Sequence, residues 1–505
     1  MLFAYILTVV LSPILITASE LPKEGQLVFP ELFHSRAEGG INVLRLTDSI
    51  TLKLQKSSVL KSQFLVRTYT DGIPMHTYMT GADLEEDLFH DPDSMASVSI
   101  NTNDGVTVEG VVGPELRVEP LLTQERDAHG RIPHRLFHIE GDLTKDDNDY
   151  SVPEDKVKEM QVSDSQNETM NISERSSDKI YPELFVVVDS LFARSFSSTR
   201  KIIKYVSIMV NAINPRYLSV TSPKVKHVLV GLEVTTPERE TFLRRLRLDP
   251  RYIHSQGSLA SFYNYTLGNP KLYKKFDIIY LLTAHDMATI KQGQINNGNA
   301  GYAYIRTACT DLKVGIGEDK PKTFLGVHVM AHEIGHVLGC LHDGERSPWE
   351  NEGVPGSAEC PFQHGFLMSY IRKNSNTYKF SECCVRQIRE KARSRSGACL
   401  HKKNVGNKSV KKYTYLPGEK VDRTAQCRNA FPTARDALYM ENYGVKDCRI
   451  RCAITTGDGV SDVKTLNLCD GTPCKDGKRY VCINGICMKK KRKYDNEAVP
   501  PSIFS

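Results

Sequence analysis

The residues best able to do chemistry lie in HVMAHEIGHVLGCLHDG, residues 328–344, where His332, Glu333, His336 and His342 fall within eleven positions. On a helix, His332 and His336 stand one turn apart, so both rings leave one face and their nitrogens can meet a single ion. Glu333 follows directly and projects sideways, near such an ion without ligating it. Gly339 is suited to end the helix, because a left-handed residue costs glycine little, and the chain can then turn back to deliver His342. Three neutral imidazoles leave a fourth position open, which is the arrangement of a catalytic rather than a structural zinc. Zinc held this way acidifies its water and polarises a peptide carbonyl. Glu333 can take the water's proton and pass it to a leaving amine. Two histidines at this spacing occur on many core helices. The full pattern H-E-x-x-H-x-x-G-x-x-H is far more restrictive and selects the metal site over the core helix. His328, one turn earlier on the same face, is assigned to the core or to the surroundings of the ligands.

The bulk properties bound what can carry such a helix. At 505 residues the chain is too long for one ordinary core. Its 40% apolar and 25% charged residues suit a soluble globular protein, and a net charge of +6 is too small to indicate nucleic acid. The opening MLFAYILTVVLSPILITASE is apolar and ends in small residues, so it reads as a secretory signal peptide cut after Ala18 or Ser19. No later stretch is apolar for long enough to span a bilayer, and the expected product is released and extracellular. All 13 cysteines lie at or after Cys309, six up to Cys399 and seven from Cys427 to Cys487, and in an exported chain they read as disulfide frameworks. Seven is odd, so one C-terminal thiol is free, pairs between chains or crosses between regions. Asn167, Asn171, Asn264 and Asn407 sit in glycosylation sequons. The basic runs KKNVGNKSVKK and MKKKRK read first as solvated segments, with a grip on acidic glycans as the alternative.

Along the chain, residues 20–140 alternate as strands do, with Asn-Asp-Gly turns, whereas 141–180 are acidic, polar and expected to form a protease-accessible linker. Order resumes with the buried strand YPELFVVVDS and a helix placing Ile202, Val206, Met209, Val210 and Ile213 on one stripe. Strands HVLVGLEVTT, FDIIYLLTAHD and AGYAYIRTAC alternate with a helix through ASFYNYTL, which implies an α/β layer of mainly parallel strands carrying the metal helix. The Gly- and Cys-rich region after Cys399 has little periodicity and must be held by disulfides.

With Asp343 directly after the third histidine, the motif resembles the metzincins, and within them the reprolysin (adamalysin) branch of zinc metalloproteases. YPELFVVVD, AGYAY and FSECC are similar to that branch, VFPELFHSR and VEGVVGPELRVEP to its propeptides, and CINGIC to its cysteine-rich modules. The fullest likeness is to the secreted salivary metalloproteases of blood-feeding ticks. The resemblance implies a signal peptide at 1–18, a β-rich prodomain at 19–140, a linker with the propeptide cleavage region at 141–178 and a metalloprotease domain at 179–401. A basic linker at 402–424, a cysteine-rich domain at 425–493 and a tail follow. It further implies a methionine turn at Met368 under the zinc, and cleavage of extracellular proteins such as matrix or clotting proteins (fibrinogen, fibronectin). Substrate is expected as an antiparallel strand along Gly301–Tyr304. Cys309 should pair with Cys399, and Cys340 with Cys383 or Cys384, Cys360 taking the other. A structural calcium would use Glu183, Asp277 and the Cys399 carbonyl.

The chain departs from that pattern in three places. No cysteine precedes Cys309, so no propeptide thiolate can sit on the zinc, and latency requires steric occlusion or another ligand. Met368 is followed by Ser369 and Tyr370, a spacing similar to astacins and serralysins, in which the tyrosine reaches the metal or steadies the oxyanion. Lys402 replaces the asparagine expected near calcium. The rival reading is a non-proteolytic secreted protein that binds through its cysteine-rich domain. The absence of Arg-Gly-Asp leaves that rival without an integrin-binding loop.

Overall fold

The computed structural model describes residues 25–33, 42–70, 72–139, 149–152, 179–350, 353–402 and, with short breaks, 418–490. The expected leader, most of the acidic stretch and both basic runs, the sequons at Asn167, Asn171 and Asn407, and the tail lie outside the described residues.

A mixed eight-stranded sheet organises the chain. Its order is Tyr150–Ser151, Gly301–Tyr304, Val314–Glu318, Ile278–Thr283, Glu183–Val188, Val228–Val234, Leu60–Thr70, Ile73–Thr80. Neighbours run parallel except Gly301–Tyr304 against Val314–Glu318 and the hairpin Leu60–Thr80. ELFVVV and IIYLLT are buried at every position, as strands covered on both faces must be. Val186 and Val188 face a layer containing the helices Thr199–Ile213 and Val327–Leu338. Phe185 and Val187 face the helix Ser255–Leu267 through Leu259 and Phe262. The expected stripe Ile202, Val206, Met209, Val210 and Ile213 is wholly buried, and Ser198 caps that helix by accepting from the Lys201 N–H.

Two features escaped the sequence reading. VGIGE at Val314–Glu318 is an interior strand, hidden by its glycines; a Cβ on Gly317 would lie 2.0 Å from the Tyr280 hydroxyl, so the close packing demands glycine there. The N-terminal region is also not a separate body. Most of it is a nine-stranded antiparallel sheet with its own apolar cluster, but the hairpin Leu60–Thr80 extends the mixed eight-stranded sheet. Val59, Phe64 and Val66 share a core with Val206 and Val210. Arg67 and Glu233, both fully buried, pair at 2.5 Å, and Glu233 also accepts from the Tyr69 and Tyr273 hydroxyls.

Disulfides join Cys309–Cys399, Cys340–Cys384 and Cys360–Cys383, which settles the pairing that the resemblance left open. In the C-terminal region Cys427–Cys452 fastens the helix Arg423–Ala430 to a three-stranded sheet, Cys448–Cys482 ties that sheet to a hairpin, and Cys474–Cys487 ties a loop to the same hairpin. The seventh cysteine, Cys469, lies outside the described residues. Among the described residues no helix is long and apolar enough to cross a membrane.

Candidate active site

The helix Val327–Leu338 is buried along nearly its whole length and ends at Gly339, whose φ of 119° is open to glycine but strained for other residues. The exit turn is fastened by Cys340–Cys384 and by the Leu341 N–H donating to Gln387 Oε1 at 3.0 Å. His342 thereby returns beside the helix. Each of the three rings is oriented through its Nδ1, which donates to the Leu367 carbonyl from His332 (2.8 Å), to the Cys340 carbonyl from His336 (2.7 Å) and to Glu345 Oε1 from His342 (3.1 Å). A carbonyl can only accept, so the proton sits on Nδ1 and the Nε2 lone pairs are left to converge. Those of His332 and His336 stand 3.1 Å apart.

A fourth donor joins them from far earlier in the chain. Asp149 Oδ1 lies 2.8 Å from His342 Nε2 and 3.1 Å from His336 Nε2, and Oδ2 lies 3.1 Å from His332 Nε2. All four side chains are at most 2% exposed. Four electron-rich atoms gathered this closely, away from water, repel unless a cation sits among them. Their separations approach the edge of about 3.3 Å expected for a tetrahedron with bonds of about 2.0–2.1 Å, so the donor set fits zinc.

Glu333 is fully buried, and among the described residues neither carboxylate oxygen has a hydrogen-bond partner. Burial pushes its acid strength down, raising the pKa well above the ordinary value, and the Asp149 charge adds to the shift. Room for it exists because residue 301 is glycine: a Cβ there would lie 2.3 Å from Glu333 Oε1. Met368 lies under the helix, its sulfur 3.1 Å from where a Cβ of Gly335 would be, and its carbonyl accepts from the Asp343 N–H at 3.0 Å. Asp343 in turn accepts from Ser381 Oγ at 2.5 Å and so holds the exit turn to the following helix. Tyr370 donates to Asp149 Oδ2 at 2.6 Å, and its oxygen is 2.7 Å from His342 Nε2. A cleft of about 490 Å³ opens beside His342 and Tyr370, walled by Glu345, Pro361 and Phe362.

The structure thus brings His332, His336, His342, Glu333, Met368 and Tyr370 together and places Glu183 and Asp277 elsewhere. Asp277 Oδ2 accepts from the Glu183 backbone N–H, and the Cys399 carbonyl accepts from the Lys402 N–H. Asp277 sits beside the Cys309–Cys399 disulfide, and burial together with the Glu183 charge raises its pKa to about 7 against the opposing pull of Lys313. His364 is exposed, and His328 is outside the ligand cluster. Sequence reasoning missed Asp149 and Glu345. Asp149 is one carboxylate among several in DDNDY, and nothing local singles it out. Glu345, three residues past His342, had the spacing to be considered.

Three oriented imidazoles and a buried, unpartnered glutamate on a helix against a mixed sheet define a zinc metallopeptidase. The chain belongs to the reprolysin (M12B) family of zinc metalloproteases, a class of metalloendopeptidases, and the family's sequence profile matches residues 180–404. It is 31% identical over 229 residues to an antarease-like venom metalloproteinase of Tityus serrulatus, covering 42% of this chain and 94% of that one. Over 398 residues it is 27% identical to a venom metalloproteinase antarease of the same species, covering 75% and 94%. A protein of Bombyx mori described as like a disintegrin and metalloproteinase with thrombospondin motifs is 28% identical over 436 residues; the match covers 82% of this chain and 59% of that longer relative.

Proposed function

We propose that the chain is a secreted endopeptidase that cuts extracellular proteins and is made as a precursor, with residues 179–401 as the catalytic domain and the region before it as a prodomain. The observation that carries this reading is Glu333, an unpartnered buried carboxylate beside three converging imidazoles. Such a group is costly to the fold and has a use only when water or substrate arrives.

His332, His336 and His342 would hold the zinc, which supplies a Lewis acid for the substrate carbonyl and its water. Glu333 accepts the proton of the attacking water and returns it to the departing amine. The edge Gly301–Tyr304 receives the substrate backbone as an added strand. Tyr370, with its hydroxyl in the ligand cluster, is assigned to steadying the oxyanion. The cleft beside it, walled by Phe362 and Pro361, takes the residue after the cut bond. Matrix or clotting proteins are the proposed substrates, and the basic run at 488–493 the proposed glycan contact.

Peptide-library cleavage by the processed protein tests the reading. Hydrolysis should stop with a chelator and return with zinc. In Glu333→Ala it should vanish while zinc content and fold persist. Cleavage by Glu333→Ala at the wild-type rate would refute the assigned base, and a biological effect surviving zinc removal would favour the binding-protein alternative.

A further inference from the structure

With no cysteine before Cys309, the means of keeping the site quiet has to come from elsewhere in the chain. Residues 149–152 cross the active site. We propose that Asp149 is the latch of the precursor: its carboxylate is the fourth zinc ligand, held in place by a reversed strand that blocks the substrate edge. The proposal rests on the peptidase reading above.

Four independent contacts seat the segment. The Asp149 carboxylate reaches all three histidine Nε2 atoms and accepts from the Tyr370 hydroxyl. The backbone adds to the sheet edge, the Ala303 N–H donating to the Asp149 carbonyl at 3.0 Å and the Ile305 N–H to the Ser151 carbonyl at 3.2 Å. Tyr150 lies on the rings of His336 and His342, with centroids 4.8 and 5.1 Å away, and donates to Glu345 Oε2 at 2.7 Å. Glu345 also holds His342, so the latch and a ligand share one anchor. Tyr150 and Val152 then pack against Ile305, Leu341 and Trp349.

The direction of the chain explains why the segment blocks rather than reacts. Tyr150–Ser151 pairs parallel to Gly301–Tyr304, with Tyr150 opposite Ala303 and Ser151 opposite Tyr304. The expected substrate runs antiparallel. The Asp149 carbonyl is spent on the Ala303 N–H, so a side chain, not a scissile carbonyl, occupies the position between the three imidazoles. An aspartate there also does what a thiolate would: it brings one negative charge and no bond that the site can cut. The latch has to leave before substrate can use either the edge or the open coordination position.

The test uses the full-length precursor. Metal content is measured first, then binding of a peptide hydroxamate, which needs the open coordination position. Zinc X-ray absorption is recorded on the same samples. Wild type should hold zinc yet bind the hydroxamate at least about tenfold more weakly than Asp149→Ala, since only the fraction with an open latch is competent. Asp149→Asn, which keeps the size of the side chain, covers the case in which alanine disturbs folding and should also bind the probe more tightly than wild type. Asp147→Ala should behave as wild type. The absorption spectrum of Asp149→Ala should show an oxygen donor exchanged for water, at longer distance. Equal hydroxamate affinity in wild type and both Asp149 variants, with zinc present, would overturn the latch alone. A wild-type precursor without zinc would overturn the peptidase reading and the latch together.

Discussion

Replacing Gly301 by alanine probes the closest approach in the active site. The new Cβ would lie 2.3, 2.6 and 2.7 Å from Oε1, Cδ and Cγ of Glu333, where ordinary contact needs at least 3.4 Å. Clearing it requires the carboxylate to move by about 1 Å, because the strand and the metal helix both belong to close-packed layers that yield little. A displacement of that size costs about 10²-fold in rate, or about 2.7 kcal/mol of barrier. The loss should fall on kcat, since the edge strand keeps its backbone donors and acceptors for the substrate. The assay is hydrolysis of a fluorescence-quenched peptide by the processed enzyme, with zinc content and circular dichroism checked alongside. A Gly301→Ala enzyme within about threefold of the wild-type kcat would show that Glu333 is not the base or is not confined by this strand.

Three further outcomes are expected. Glu345→Ala frees the His342 ring and should weaken zinc binding by about 10–100-fold, read by competition with a chelator in the processed enzyme; unchanged affinity would exclude Glu345 as an orienting group. Arg67→Met leaves the Glu233 carboxylate buried with only its two tyrosine donors and should cost the full-length precursor about 3–5 kcal/mol in urea unfolding. A change below about 1 kcal/mol would mean that the buried pair does not tie the N-terminal hairpin to the sheet. Burial raises the Asp319 pKa from 3.8 to about 7, despite hydrogen bonds from the Tyr205 hydroxyl and the Gly326 N–H. The folded state therefore holds that proton more tightly than the unfolded state, and the associated stability is present below pH 4 and lost as pH rises through 7. The melting temperature of Asp319→Asn relative to wild type should accordingly rise between pH 5 and pH 8, and a constant difference would contradict the assigned shift.

What the sequence determined by itself is local. His332 and His336 are one helical turn apart, so any helix through them aligns their rings, and Gly339 and His342 follow within a few residues. The buried runs ELFVVV and IIYLLT likewise announce interior strands through composition alone. Tertiary structure decided what depends on partners far along the chain. Asp149 meets His336 across 187 residues and Tyr370 across 221, and no neighbour in sequence distinguishes it from the carboxylates beside it. The hairpin Leu60–Thr80 reads as part of a self-contained N-terminal sheet, yet it pairs with Val228–Val234, because a strand's alternation says which face is apolar but not which edge will accept it. VGIGE disappears among glycines whose purpose, room for the Tyr280 ring, exists only after packing. Helical periodicity is written by the chain's own geometry, whereas edge pairing and ligand completion are settled by whichever distant groups the folded core brings within reach.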